Sequence, residues 1–298
     1  MLDRESTFAN PTIVKLLKTD FVPVAIDQAC QRRQKDTEGE FFRKIASQSP
    51  RNDFSQTTQG FYIATASGDL MLYNNNRHPE KVQRLMKEKL ADFRASDQSG
   101  ASAIRRASID ARYTLEPPNG GLVLRVQAKI LDGYEPTDDR WKKIFQSALS
   151  RDNLWVTAEE HEQLAKSVFP GSLAKRIARF HLVDNTRGEP NMWKPSEIDD
   201  LELAIKDTHV EGKANLKTTS GKRGYETEIQ GVIEIDQGRV VRLDMVALGK
   251  HWGDGNYTKG RPKGRYPLAI SFTLANGTNI ADGLAPQGSR GWIDGYLK

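Results

Sequence analysis

The sequence predicts an α+β protein: an α/β domain over residues 1–93, a linker over 94–108, and a mainly antiparallel β domain over 109–298. The last is a barrel or a sandwich and carries a helical segment at about 137–181. Three observations support that division. A length of 298 residues is more than one ordinary core needs, at roughly 100–200 residues per domain. Residues 94–108 are rich in Ser and Ala and poor in large apolar side chains. From Leu201 onward, apolar residues recur at every second position through five successive runs, the period of half-buried strands.

In the front part, Asn10 and Pro11 suit the start of a helix whose apolar face is Ile13, Val14, Leu16 and Leu17. FVPVAID, residues 21–27, is short, apolar and β-rich, and predicts a buried strand. The charged stretch 28–48 sets Phe41, Phe42 and Ile45 at helical spacing, as one helix or two. Phe61–Thr65 and Leu70–Asn74 flank Ser67-Gly68-Asp69 and predict a hairpin. Pro79 then opens a helix with Val82, Leu85, Met86 and Leu90 as its stripe.

In the second part, LVLRVQAKIL predicts a strand, and DDRWKKIFQSALSRDNLWV a helix followed by a short strand. Thr157 with Glu160 three residues on is the capping-box pattern, and Ser172 reads as the cap of the next helix, with Leu173, Ile177 and Phe180 on one face. LELAIKD, KANLKTT, YETEIQGVIEID, RVVRLDMVALG and YPLAISFTLAN are the period-two strands, joined by polar turns.

Composition narrows the function classes. Hydrophobic residues are 37% and charged residues 28%, ordinary values for a folded chain. No run of about 18 apolar residues is present, so no membrane span is expected. MLDRESTFANP lacks an apolar leader, which places the sequence as given in the cytoplasm. A net charge of +5 is too mild to suggest nucleic acid as a partner, leaving a protein or a small molecule. One cysteine, Cys30, excludes an internal disulfide, dithiol exchange within the chain, and a CxxC zinc site. The five histidines show no ligand spacing, and no GxSxG elbow or phosphate loop occurs. No metal and no cofactor is expected.

The candidate residues form three groups. Cys30, beside Arg32 and Arg33, is a thiol whose thiolate nearby cations would favour; a half-buried structural cysteine is the plainer reading. His181, Asp184, Asn185, Arg187 and Trp193 crowd FHLVDNTRGEPNMW. A His beside a carboxylate can act as a general base, and an Arg can hold an oxyanion. The plainer reading makes Asp184 and Asn185 turn residues, pairs Arg187 with an acid and sets Trp193 in the core. His251 and Trp252 end a strand, where such a pair can line a barrel mouth that binds a small molecule, the plainer reading being that they cap the barrel; Tyr257 follows them. Lys259, Arg261, Lys263 and Arg265 share a loop without an intervening acid, which could hold an anion or remain solvated.

LDRESTFANPTIVKLLKTDFVPVAID, residues 2–27, and TTQGFYIATASGDLMLY, residues 57–73, resemble two stretches of the thioredoxin-like family. These are the helix that runs on from the redox dithiol into a strand, and the loop and hairpin that finish the sheet. The resemblance covers about residues 1–93. It implies a truncated thioredoxin-like domain whose first strand and CxxC would precede Met1, so no catalytic residue of the family carries over. The family's cis-proline position falls near Thr57-Thr58-Gln59, without a proline, so a trans bond is expected there. Two functions follow as expectations. One is thiol–disulfide chemistry if an upstream CxxC exists, with an extracytoplasmic location if a signal sequence accompanies it; the form given would be inactive as a dithiol oxidoreductase. The alternative is a non-enzymatic scaffold that binds a protein or ligand through its β module.

Overall fold

A computed structural model describes residues 6–96, 110, 112–113, 115–289 and 292–298. The chain divides into two compact units, 2–114 and 115–298.

In the front unit, helix α1 (Pro11–Thr19) begins where Asn10 Oδ1 accepts the N–H groups of Thr12 and Ile13, at 3.0 and 3.2 Å. That satisfies two of the donors a helix start leaves open. The charged stretch forms two helices, α2 (Gln28–Gln31) and α3 (Thr37–Ser47), the second capped by Asp36 through the Gly39 N–H. Strands β1 (Phe61–Ala64) and β2 (Leu70–Asn74) pair antiparallel around Gly68, whose φ of 87° suits a residue without a Cβ. Helix α4 (Pro79–Ala95) buries Val82 and Met86 with Ile13, and Phe21, Phe61 and Ile63 pack against them. It runs two residues into the expected linker, of which residues 97–108 lie outside the described residues.

The strand expected at Phe21–Asp27 does not form. Among the described residues this run joins no sheet, and Val22 and Val24 are 90% and 75% exposed. Its composition suits a strand, but strand formation depends on a neighbour, and none is supplied. Among the described residues of this unit, the sheet is the β1–β2 hairpin. No described peptide bond is cis, including those around Thr58, which is buried and donates from N and Oγ1 to Gln28 Oε1.

The second unit follows its period-two pattern closely. Its elements are β3 (Leu122–Ile130), α5 (Arg140–Ser147), β4 (Asp152–Val156), α6 (Ala158–Leu164), α7 (Gly171–Arg176), β5 (Ile198–Lys206), β6 (His209–Lys217), β7 (Gly224–Asp236), β8 (Arg239–Trp252), β9 (Arg265–Leu274) and α8 (Ile293–Leu297). All seven strands form one antiparallel sheet, ordered β4-β3-β9-β8-β7-β6-β5. The meander β5 to β9 is local; β3 pairs with its last strand and carries β4 outside it. β7 and β8 meet at Gln237-Gly238, both at positive φ, the conformation whose twist matches a tight hairpin.

The expected barrel or sandwich is a curled half-barrel, with β4 and β5 left as edges. Its closure is made unnecessary by what fills the inner face. Leu124, Val126, Ile229, Met245, Leu268, Ile270 and Phe272 pack in one core with Leu164, Leu173, Ile177, Leu182, Trp193 and Tyr296 from the helical and loop segments. Ser172 does not cap α7, which follows Pro170 without a side-chain cap; its hydroxyl donates instead to Glu160 Oε1. Glu160 does close the capping box with Thr157. After α7 the chain widens into one π turn (Ile177–His181), closed by Leu182 N–H on the Ile177 carbonyl.

β7 and β8 approach closely at Gly249, which faces Thr227 in register. A Cβ there would lie 1.9 Å from the Glu226 carbonyl oxygen and 2.5 Å from Thr227 Cα. Gly249→Ala is therefore expected to destabilise the protein by about 1–3 kcal/mol, read as a lower urea midpoint at unchanged slope.

Candidate functional site

The sequence groups His181, Asp184 and Arg187 as one candidate chemistry and sets His251 in another. The structure splits them between two buried clusters. The first sits where β8 and β9 meet the loop after the π turn. Asp184 starts an Asx turn, its Oδ1 accepting from Thr186 N (3.1 Å) and Oγ1 (2.7 Å). Its Oδ2 accepts from Arg187 Nη2 and from Tyr266 Oη, the latter at 2.8 Å. Tyr266 has one hydroxyl proton and gives it to the carboxylate, so His251 Nδ1–H donates to Tyr266 Oη at 2.8 Å. Arg187 also donates from Nε to the Thr258 carbonyl and from Nη1 to Tyr134 Oη and Thr186 Oγ1.

Electrostatics agree with this wiring. Burial alone would raise the Asp184 carboxyl, but the Arg187 guanidinium, then His251 and the bonds from Thr186 and Tyr266, hold it below the ordinary carboxylate value. Burial would lower Arg187, yet Asp184 raises it overall. Burial first, then the Asp184 charge, pushes the Tyr266 phenol up. Burial drives His251 down to about 4, against the pull of Asp184 and with the push of Arg223, Arg187 and Arg261. At neutral pH this is a neutral imidazole beside a closed ion pair.

The second cluster holds His181. Its Nε2 meets Tyr296 Oη at 2.6 Å and its Nδ1 lies 3.4 Å from Asp152 Oδ2, without hydrogen-bond geometry. Beside it, Arg176 pairs with Glu160 at 2.6 Å and donates to the carbonyls of Trp155, Tyr296 and Leu297. These side chains bind the C-terminal helix α8 to α6 and α7. His181 and Asp184 thus belong to different environments despite their sequence spacing.

No family model, curated protein or solved structure matches this chain. Trp193 is buried, donating from Nε1 to the Leu182 carbonyl, and the Arg223 guanidinium stacks 3.9 Å from its ring centroid. Trp252 lies under Arg265, 4.0 Å from its ring centroid, and its Nε1 donates to Gly221 O. Tyr257 is exposed. The basic loop is largely neutralised: Arg261 pairs with Asp254 and donates to Pro262 O, Lys263 lies 3.8 Å from Glu135, and Arg265 pairs with Glu226. Lys259 is exposed. Cys30 is half-buried on α2, and the Arg33 side chain beside it donates to Ala29 O. Among the described residues, no group of three His, Cys, Asp or Glu could hold a metal, and no helix is long and apolar enough to cross a membrane.

The structure brings the loops 184–193 and 253–264 together, which the sequence reading did not foresee. Asn191 Oδ1 accepts from Asn256 N–H, and a Cβ on Gly188 would strike the Tyr257 carbonyl. Sequence reasoning missed Tyr134, Thr258 and Tyr266 in the first cluster, and Asp152, Arg176 and Tyr296 in the second. Tyr266 heads a period-two strand, so its inward position was legible in principle; the others had no signal besides their type.

Proposed function

We propose that this chain is a non-enzymatic binding scaffold whose half-barrel is a rigid platform for a protein partner. The observation that carries this is the closure of the Asp184–Arg187–Tyr266 cluster upon itself, with His251 Nδ1 bonded to the tyrosine. Asp184 accepts its hydrogen bonds from neighbouring side chains and from Thr186 N–H, and every nitrogen of Arg187 has a protein acceptor. A catalytic group must reach a substrate atom, and Asp184, Arg187 and Tyr266 are buried and held by their neighbours. The inner face of the sheet is likewise packed with the chain's own side chains, which favours a protein partner over a small molecule.

A panel of ester, phosphoester, peptide and disulfide substrates is expected to show no turnover above buffer, with His181→Gln and His251→Gln altering stability alone. Turnover that either variant lowers by about tenfold or more would overturn the reading. A second reading, thiol–disulfide chemistry on a thioredoxin-like frame, draws on the hairpin β1–β2 followed by α4. With Cys30 alone it needs a further thiol, from a CxxC encoded upstream of Met1. Insulin reduction by a form carrying that motif supports it; none above buffer removes it.

A further inference from the structure

We propose that Phe21–Ile26 is an open edge at which a second copy of this chain pairs, antiparallel and centred on Val24. Among the described residues, no backbone hydrogen bond engages Phe21 to Ile26, and Val22, Val24 and Ile26 are exposed. The run is therefore a β-forming, apolar segment with free N–H and C=O groups, the arrangement that recruits another strand. The same chain guards its other long edge differently: β5 carries Asp199, Asp200, Glu202 and Lys206. From Phe21 to Ile26 no charge occurs at all.

Proline decides which side of the run is competent. In an extended chain, the N–H and C=O of alternate residues point to opposite edges. Pro23 lacks an N–H and spoils the edge it shares with Phe21 and Ala25. The edge formed by Val22, Val24 and Ile26 keeps every donor. It is also self-complementary. Twofold pairing about Val24 sets Val24 opposite Val24 and Val22 opposite Ile26, three facing pairs of β-branched residues that each exchange both hydrogen bonds. Pro23 then falls opposite Ala25, between bonded pairs, where its missing donor is harmless. Farther out, Phe21 faces Asp27 and Asp20 faces Gln28, so no like charges oppose. A twofold interface needs one patch that fits itself, and this run has that property. The pairing is independent of whether the half-barrel is a scaffold or an enzyme.

Sedimentation velocity of the full chain, over loading concentrations from about 1 to about 300 µM, is expected to show a monomer–dimer equilibrium. Val24→Pro removes the central facing donor and is expected to abolish the dimer. Ala25→Pro removes a donor on the far edge and is expected to leave it intact. A monomer throughout overturns the proposal and leaves the edge to a strand of some other protein. So does a dimer that survives Val24→Pro, or one that both variants abolish. Residue-resolved hydrogen exchange on the unaltered chain gives a readout that does not depend on a variant folding. The amides of Val22, Val24 and Ile26 should slow with rising concentration while that of Ala25 does not; equal rates at all concentrations count against the pairing.

Discussion

Arg176→Ala is expected to cost about 3–5 kcal/mol of unfolding free energy, the range for removing one partner of a buried ion pair. Arg176 and Glu160 keep only 1% and 4% of their side-chain surface in contact with solvent. The guanidinium donates to Glu160 Oε2 and to three backbone carbonyls, two of them in α8. Truncation leaves a buried carboxylate with Thr157 N–H and Ser172 Oγ as its remaining partners, and leaves the end of the chain without its main tether. Lost packing is a rival explanation, because Arg176 also lies over the Tyr296 ring. The two separate in a cycle. Arg176→Met keeps most of the volume and should still be strongly destabilising, whereas Glu160→Gln combined with Arg176→Met should recover a large part of the loss, since no charge is then stranded. Urea unfolding followed by tryptophan fluorescence reads this directly, because Trp155 and Trp193 are buried in the same core. A loss under about 1 kcal/mol for Arg176→Ala would mean that the pair behaves as an exposed one.

Much of the fold was legible because its signals are local. The five period-two runs became β5 to β9, and Thr157 with Glu160 gave both a cap and, less visibly, the acid that Arg176 needs. Asn10 and Pro11 set the start of α1 for the same reason: a cap acts on the next three residues. What failed was non-local. Phe21–Asp27 has strand composition, but pairing depends on a neighbour that composition does not specify. Closure into a barrel failed similarly, since the helices and loops between β4 and β5 fill the inner face and leave both edges open. The site was half legible. Polar density marked the right loops, yet His181 ends a π turn and faces Tyr296, while Asp184 starts an Asx turn and faces Tyr266. Three residues of separation place two side chains in one environment only if the backbone between them is regular, and here it changes hand-over from turn to loop at Leu182.

Acid should weaken the β unit before its carboxylates titrate, and His251 is the reason. Its pKa is about 4 in the folded protein against 6.5 for the free side chain, chiefly because burial disfavours the charged ring. Between those values the unfolded chain binds a proton that the folded chain refuses, so stability falls as pH drops from about 6.5 to about 4, and the full penalty is about 3 kcal/mol. Above pH 6.5 both states are neutral at this site and the contribution vanishes. Asp184 acts in a lower window. Its folded value lies below 3.8, so the stability it provides is present above that pH and is lost as pH falls further. His251→Gln keeps a side-chain amide donor for Tyr266 but cannot titrate. Its unfolding free energy should therefore fall less than the parent's between pH 6.5 and 4.5, by up to the His251 penalty, with the loss below 3.8 retained. The difference between the two proteins isolates His251 from the other histidines. Parallel curves for the two would show that the imidazole is solvated in the folded state, and with it the closed, neutral cluster on which the scaffold reading rests would be lost.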